Sequence, residues 1–309
     1  MNTDNLLEST FNMSKRELYY VSNNIGKHYK KIIIKKKSGE NRTLYAPDKK
    51  LKYIHRIILK EFLSDYKISA CATAYHKGAQ LVDNALPHIN KKYLLKLDIK
   101  DFFPSIMFGR VYKLFYSKFP EEYAKLFAEL CCYDDCLVQG APTSPAVSNI
   151  VMLNFDNELE AWCKSNFISY TRYCDDITLS SDEPLVSAYH YVKKLLNKNG
   201  FEVNKKKTRF IKHTHGQYVT GIVVNEHLQV TREYRRKLRQ DLYYLYKFGA
   251  RDVILKNKLD DYILGKTTLN AKYMQSLMGR INFVLQVDPD NKEFKEEKTK
   301  LINYMNIRI

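Results

Sequence analysis

Residues 167–180 read FISYTRYCDDITLS in a chain of 309 residues. The Ile, Tyr and Thr residues favour two short β-segments, and Cys174-Asp175-Asp176 stands where these would turn back on each other. A hairpin of this kind would hold two adjacent carboxylates rigidly at the edge of a sheet. The Asp134-Asp135 pair has no such flanking segments, so we expect it on the surface.

A third acid follows another predicted strand. Residues 94–103, LLKLDIKDFF, begin with alternating leucines, which indicates a buried strand that ends at Asp98. If this strand pairs beside the hairpin, Asp98 projects from the same sheet as Asp175 and Asp176. Closely packed carboxylates repel one another unless cations lie between them. Two Mg²⁺ ions about 3.5–4 Å apart would suit such a cluster and serve in-line phosphoryl transfer. Independent surface aspartates remain the alternative interpretation.

The rest of the chain predicts helices mixed with short strands. A hairpin is expected over residues 31–45, with its turn at Ser38-Gly39-Glu40-Asn41. Predicted helices lie near 49–64, within 109–133, from Thr143 or Ser144 through one long amphipathic stretch to Trp162, and from Leu185 to Gly200. Predicted strands after Gly200 are FEVN, TRFI, YVTGIVV and LQVT, and beyond Thr231 the pattern is helical.

Charge is distributed unevenly. The chain has 51 Lys and Arg against 34 Asp and Glu, a net charge of +17. Residues 27–60 carry 12 basic against two acidic side chains and residues 193–239 carry 13 against three, so each block has a net charge of +10. Residues 102–190 carry six basic against 12 acidic side chains, a net charge of −6. Two basic blocks attract a polyanion by counterion release, and the 24 Tyr and 15 Phe residues offer stacking surfaces, so nucleic acid is the predicted partner.

Composition excludes several classes of protein. A hydrophobic fraction of 45% is too high for a disordered chain. The first twenty residues contain no continuous apolar stretch, so we expect no secretory or membrane segment and a cytoplasmic location. The six cysteines lack the paired spacing of a zinc site and are expected to be reduced thiols.

Three motifs occur in a fixed order. Tyr173-Cys174-Asp175-Asp176 is a Y-x-D-D box, and Leu97-Asp98 followed by Asp101-Phe102-Phe103 looks like the first catalytic motif of reverse transcriptases. Residues 139–145, QGAPTSP, look like their template and nucleotide motif. Such motifs are specific when they occur together, on strand, loop and hairpin.

Two further segments narrow the family. Asn84-Ala85-Leu86-Pro87-His88 is similar to an N-A-x-x-H motif and Val219-Thr220-Gly221 to a V-T-G motif, both found in retrons. With these segments the chain resembles bacterial retron reverse transcriptases from about Arg42 to Val287.

The resemblance implies roles in metal and nucleotide binding. The residues expected to bind Mg²⁺ are Asp98, Asp175 and Asp176. Phe103 matches the position that blocks the 2′-hydroxyl of a nucleotide and so favours dNTPs. Gln139 and Gly140 would line the incoming base and template, and Arg42 would contact the triphosphate, for which a guanidinium is suited.

Roles in proton transfer and RNA recognition are also implied. Lys207 matches the region where related polymerases place a lysine that protonates the leaving pyrophosphate, although Lys206 competes for this role and simple phosphate attraction is an alternative. Gln80 stands where the family usually has a small hydroxyl residue, which leaves template contacts there open. RNA binding is implied for Asn84, His88, Val219, Thr220 and Gly221.

The implied fold is α+β, a right-hand polymerase with fingers, a palm of antiparallel sheet backed by helices, and a helical thumb. Residues 1–90 would form N-terminal helices and fingers, residues 91–230 the palm, with part of the fingers inserted at about 105–140, and residues 231–309 the thumb.

The implied activity is RNA-directed DNA synthesis from dNTPs. A cognate structured noncoding RNA would serve as template and primer, synthesis would begin at a 2′-hydroxyl of an internal guanosine, and the product would be branched, RNA-linked multicopy single-stranded DNA. Anti-phage defence with an accessory effector or toxin is the implied setting.

Two other interpretations stay open. The first assigns the same chemistry to a group II intron-like or diversity-generating reverse transcriptase. The compact length of the chain argues against this interpretation. The second is a nucleic-acid-binding scaffold or antitoxin that restrains an effector, and the intact acid triad argues against it.

Overall fold

The structure is a computed structural model and describes residues 3–35, 39, 41–256 and 269–308. The chain divides into two compact units. The first consists of residues 1–80 and 93–210, and the second of residues 81–92 and 211–309. The short segment 81–92 therefore belongs with the C-terminal part of the chain.

Helices and strands alternate through most of the described residues. The helices are α1 (Thr3–Phe11), α2 (Lys15–Asn23), α3 (Lys49–Ile57), α4 (Leu81–Ala85), α5 (Phe108–Tyr116), α6 (Glu121–Cys131), α7 (Ser144–Val151), α8 (Leu153–Ser165), α9 (Val186–Lys198), α10 (Arg232–Lys256), α11 (Leu269–Val287) and α12 (Lys292–Arg308). The strands are β1 (Tyr29–Lys35), β2 (Asn41–Pro47), β3 (Tyr93–Asp98), β4 (Ser169–Tyr173), β5 (Asp176–Ser181), β6 (Arg209–Lys212), β7 (Tyr218–Val219), β8 (Ile222–Val223) and β9 (Gln229–Val230).

A four-stranded sheet organises the first unit, in the order β4-β5-β3-β6. Strand β5 pairs antiparallel with both β3 and β4. Leu95, Leu97, Ile177 and Leu179 are buried in one hydrophobic core, to which the surrounding helices contribute. The register of a strand with a buried face is strongly specified, because a slip of one residue would move its apolar side chains to the opposite face.

Several predicted elements are confirmed. Strands β1 and β2 form the predicted hairpin, with Ile34 opposite Arg42, while Ser38 and Glu40 of its expected turn lie outside the described residues. The predicted helix near 49–64 is α3, which Asp48 caps by accepting a 2.8 Å hydrogen bond from the Leu51 backbone N–H and which continues as a π-helical turn. Strands β4 and β5 form the hairpin around Asp175.

Three predicted elements are wrong. The predicted strand YVTGIVV is two short antiparallel strands, β7 and β8, with the turn at Thr220-Gly221. The long helix from Ser144 to Trp162 is two helices, α7 and α8, which are interrupted at Met152. The Met152 and Asp156 backbone N–H groups still bond four residues back, so the apolar spacing continues through the break and gives no sign of it. The segment FEVN is not a strand, since it makes only one isolated bridge, from Val203 to Ile99.

The second unit combines a small sheet with helices. Strands β7, β8 and β9 form an antiparallel sheet, and α4 packs against β8. The region beyond Thr231 is helical where it is described, as predicted, and α10 is interrupted at Gly249, whose φ of 82° is not helical. In the part of the chain that the structure describes, no helix has both the length and the apolar character needed to cross a membrane.

Candidate active site

The strand register of the first unit brings the three predicted acids to one end of its sheet. Asp98, the last residue of β3, lies directly opposite Asp176, the first residue of β5. Asp175 is in the turn between β4 and β5, and its carbonyl accepts a 3.0 Å hydrogen bond from the Ile99 backbone N–H. Cys174 occupies this turn with a φ of 60°, a left-handed conformation that side chains rarely adopt.

A lysine and an asparagine satisfy the Asp98 carboxylate, which is only 5% exposed. The Lys207 ammonium donates to Oδ1 at 2.5 Å, and the Asn204 amide donates to Oδ2 at 3.1 Å. The Asn204 backbone N–H also donates to the Asp98 carbonyl at 2.8 Å. Of the two candidate lysines, it is therefore Lys207 that reaches the acids. Sequence reasoning missed Asn204, because its segment was assigned to a strand.

The electrostatics of this group are those of crowded carboxylates. Desolvation raises the pKa of Asp176 from 3.8 to about 6, and the charge of the neighbouring Asp175 carboxylate adds to this effect. The positive charges of Lys96 and Lys207 oppose the shift. Desolvation lowers the pKa of Lys207, but the hydrogen bond and charge of Asp98 outweigh it and raise this pKa. The acids therefore favour a cation between them.

The donor chemistry of this site fits a hard divalent cation. Asp98, Asp175 and Asp176 supply the carboxylate oxygens that Mg²⁺ prefers. However, no three His, Cys, Asp or Glu side chains of the described residues are arranged around a common point where a metal ion could be held. In this structure the countercharge at Asp98 is the Lys207 ammonium, so a metal ion at Asp98 would have to replace that contact.

The predicted sugar-selecting residue packs into the protein. Phe103 is 9% exposed, and its ring centroid lies 5.4 Å from that of Phe102, which in turn lies 6.0 Å from that of Phe201. Phe102 is 4% exposed and is the more deeply buried of the first two rings. Phe103 is thus slightly more exposed than Phe102, but both rings belong to the hydrophobic core.

The structure brings together the predicted nucleotide-binding residues of two distant segments. The Arg42 guanidinium, on strand β2, donates from Nε to the Gln139 side-chain oxygen at 2.8 Å. The Gln139 carbonyl accepts a 2.8 Å hydrogen bond from the Tyr45 backbone N–H. At Gly140 a Cβ atom would lie 2.5 Å from the Tyr45 carbonyl oxygen, and φ is 115°. The backbone at Gly140 therefore lies close to strand β2.

A buried polar network behind the turn between β4 and β5 was missed from sequence. Arg172 and Asp156 are both 0% exposed and form a bidentate ion pair, with Nε–Oδ1 and Nη2–Oδ2 distances of 2.8 and 2.6 Å. Arg172 Nη1 also donates to the Cys174 carbonyl at 2.9 Å and to Asn149 Oδ1 at 3.1 Å. The Tyr170 hydroxyl donates to Asp156 at 2.6 Å. In the sequence, the available signal for this network was a charged residue, Arg172, in the middle of a predicted strand.

The residues expected to bind RNA lie in the second unit and are mostly buried. Asn84 is 1% exposed, and His88 and Val219 are 0% exposed. Burial lowers the pKa of His88 to about 3. The Thr220 hydroxyl donates to the Leu81 carbonyl at 3.4 Å, and Gly221 has a φ of 83°. Thr220 thus contacts helix α4, which carries Asn84, within this unit.

Comparison with known proteins identifies the family. The family described as Reverse transcriptase (RNA-dependent DNA polymerase) matches residues 34–227. Retron Mx65 reverse transcriptase from Myxococcus xanthus is 35% identical over 240 residues, which are 70% of this chain and 56% of that protein. Retron Ec86 reverse transcriptase from Escherichia coli is 30% identical over 71% of this chain and 70% of its own length. Retron Ec83 reverse transcriptase, also from Escherichia coli, is 33% identical over 88% and 86%.

The chain therefore spans little more than half of the Myxococcus protein and most of the two Escherichia proteins. Among solved structures, a telomerase from Candida albicans in complex with a fragment of telomeric RNA matches with a TM-score of 0.53, at 11% identity, over 89% of this chain and 63% of that one. This likeness concerns the fold alone and confirms the predicted α+β polymerase fold. The sequence matches confirm the expected lineage, and the chain belongs to the retron reverse transcriptases, a family of RNA-directed DNA polymerases.

Proposed function

We propose that this chain copies a cognate structured noncoding RNA into RNA-linked multicopy single-stranded DNA. The observation that supports this most directly is the register that sets Asp98 opposite Asp176, with Asp175 in the adjoining turn. Family membership supports the reaction class, and the basic blocks of the sequence support a polyanionic template and product.

The proposed cofactor is Mg²⁺. Bound at Asp98, Asp175 and Asp176, a pair of Mg²⁺ ions would activate the attacking hydroxyl and stabilise the leaving oxygen. The residues of the chain have complementary tasks. Arg42, already oriented by Gln139, would bind the triphosphate of the incoming dNTP. Lys207 would leave Asp98 and protonate the departing pyrophosphate.

The proposed partners and setting follow the family. The RNA would act as template and primer, and DNA synthesis would begin at a 2′-hydroxyl of an internal guanosine to give a branched product. We further propose a role in anti-phage defence together with an accessory effector protein, in the cytoplasm. The six cysteines are free thiols in the structure.

Purified protein tests the polymerase activity. With its co-purified RNA, Mg²⁺ and dNTPs, we expect the wild-type chain to extend DNA and Asp175→Asn to abolish extension while RNA remains bound. Asp134→Asn makes the same charge change at an exposed aspartate and should leave synthesis intact. If the wild type and Asp175→Asn were equally inert with RNA bound, the chain would instead be a nucleic-acid-binding scaffold.

A further inference from the structure

The Arg172–Asp156 ion pair is fully buried. Arg172 is among the largest fully buried side chains of the described residues. It stands in strand β4 two positions before Cys174, and we call the turn of Cys174 and Asp175, which carries the proposed chemistry, the catalytic turn. Burying two charges is costly, and apolar replacements of such pairs are often neutral or stabilising. Stability alone therefore gives a weak reason for an ion pair at this place.

The guanidinium makes contacts that an apolar side chain could not make. One edge binds Asp156 in a bidentate manner, while Nη1 reaches Asn149 and the Cys174 carbonyl. The planar fork of arginine can serve these acceptors together, whereas a lysine ammonium is a single point charge. Helices α7 and α8, which carry Asn149 and Asp156, are thus tied through one side chain to the turn that presents Asp175.

The same network supports the segment before Tyr75. The Arg172 backbone N–H donates to the Cys71 carbonyl at 2.7 Å, and its carbonyl accepts from the Thr73 backbone N–H at 2.9 Å. The Asn149 amide donates to the Ala74 carbonyl at 2.7 Å. The Tyr75 ring then lies 6.2 Å from that of Tyr173, on the strand leading into the turn.

We propose that Arg172, supported by Asp156 and Asn149, is a positioning residue for the catalytic turn. By binding the Cys174 carbonyl, it holds the left-handed conformation that directs Asp175 and Asp176 toward Asp98. The functional meaning of this role rests on the proposed polymerase activity, but the restraint on the turn is a property of the folded chain. Residues held in rare backbone conformations persist where surrounding contacts over-determine them.

The thiol of Cys174 supplies a probe of the turn. It is only 5% exposed, so alkylation by iodoacetamide should be slow while the turn is closed. Mass spectrometry can follow Cys174 separately from the other five cysteines. The test variant is the triple change Asp156→Leu, Arg172→Met and Tyr170→Phe, which removes both charges and the hydroxyl whose acceptor would be gone.

We expect the triple variant to keep a thermal midpoint near that of the wild type. Its Cys174 should be alkylated about tenfold faster, since the turn opens more often. In DNA synthesis, kcat should fall at least about tenfold with little change in the KM for dNTP, because the reacting groups are misplaced while nucleotide binding is retained. Arg172→Lys keeps the charge opposite Asp156 but lacks the planar guanidinium, so it should also lower kcat with little change in KM. This variant provides the test if the triple variant does not fold.

A destabilised control separates positioning from stability. Leu159→Ala lies in the same helix as Asp156 and removes a fully buried side chain without touching the network. It should lower the thermal midpoint but leave Cys174 alkylation and kcat close to wild type. The proposal is overturned if Cys174 is alkylated as fast in Leu159→Ala as in the network variants. It is also overturned if Cys174 is alkylated as slowly in the network variants as in the wild type. If the wild type makes no DNA, the proposed function fails, and the alkylation rates still decide this inference.

Discussion

The Lys207 ammonium contacts Asp98, where the proposed Mg²⁺ would bind. Its ammonium neutralises a carboxylate that is almost fully buried, and so removes part of the repulsion among the three acids. Release from Asp98 would free Lys207 to act on the pyrophosphate. In the proposed reaction, the same side chain would stabilise the site before a metal ion binds and would serve in proton transfer afterwards.

The role of Lys207 can be separated from general phosphate attraction. If it acts as general acid, Lys207→Ala should lower the single-turnover rate of nucleotide addition by about 10²-fold with a smaller change in RNA affinity. Lys206→Ala removes the same charge from the adjacent exposed residue and should change the rate little. Equal losses in the two variants would assign both lysines to phosphate attraction.

Phe103 is expected to select the sugar of the incoming nucleotide. Its ring is 9% exposed, beside the more buried Phe102. Phe103→Val removes ring volume and should admit ribonucleotides, measured as a rise in the ratio of rNTP to dNTP incorporation. Phe102→Val removes the same volume from the core and should lower stability without changing that ratio. Unchanged sugar selection in Phe103→Val would exclude the residue from this role.

At the scale of elements, the loop that contains Gly140 contacts the β1–β2 hairpin. A methyl group there would lie 2.5 Å from the Tyr45 carbonyl oxygen, so Gly140→Ala should push the loop away from strand β2. We expect a loss of about 1–3 kcal/mol in the free energy of unfolding and a higher KM for dNTP, since Gln139 would be displaced from Arg42. Thermal denaturation and steady-state kinetics measure these two effects.

Gly78→Ala is a matched control for this prediction. Gly78 also has a positive φ, of 82°, but a Cβ atom there would meet nothing within 4 Å. It should therefore show the conformational cost alone, which is the smaller effect. If both substitutions cost the same, the contact with Tyr45 would not matter.

The Met152 break and the sheet register show why elements were harder to predict than motifs. Apolar periodicity located α7 and α8 correctly, but it could not detect an interruption across which backbone hydrogen bonds continue. Alternating leucines located β3, whereas its pairing with β5 depends on residues about eighty positions away. The segment FEVN shows the reverse error, because β-favouring residues there serve a loop in which Asn204 binds Asp98.

At the scale of the whole molecule, charge should govern affinity for RNA. Binding to a polyanion releases counterions, so the logarithm of the binding constant should fall linearly with the logarithm of salt concentration. Changing the exposed β1 residues Lys30, Lys31 and Lys35 to Gln should reduce the magnitude of the slope by up to about 0.7–0.9 for each phosphate that the chain no longer neutralises. Fluorescence anisotropy at several salt concentrations measures the slope.

Three other lysines provide the control for charge. Lys60, Lys164 and Lys198 form ion pairs with Glu61, Glu160 and Glu158. Their replacement by Gln changes the net charge equally, but it should alter the slope less because a carboxylate already neutralises each ammonium. A change of equal size in both triple variants would show that net charge, and not the β1 surface, determines RNA affinity.

The sequence by itself determined the local features of this protein: the hairpin around Asp175, the strand that ends at Asp98, the basic blocks and the motifs that indicate a retron reverse transcriptase. These depend on neighbours within about ten positions, where periodicity and turn-forming residues act. Tertiary structure decided that Lys207 binds Asp98, that Arg42 binds Gln139, and that Arg172 binds the Cys174 carbonyl in the turn before Asp176. The first two contacts join residues 109 and 97 positions apart, and such pairs form only because folding brings their elements together.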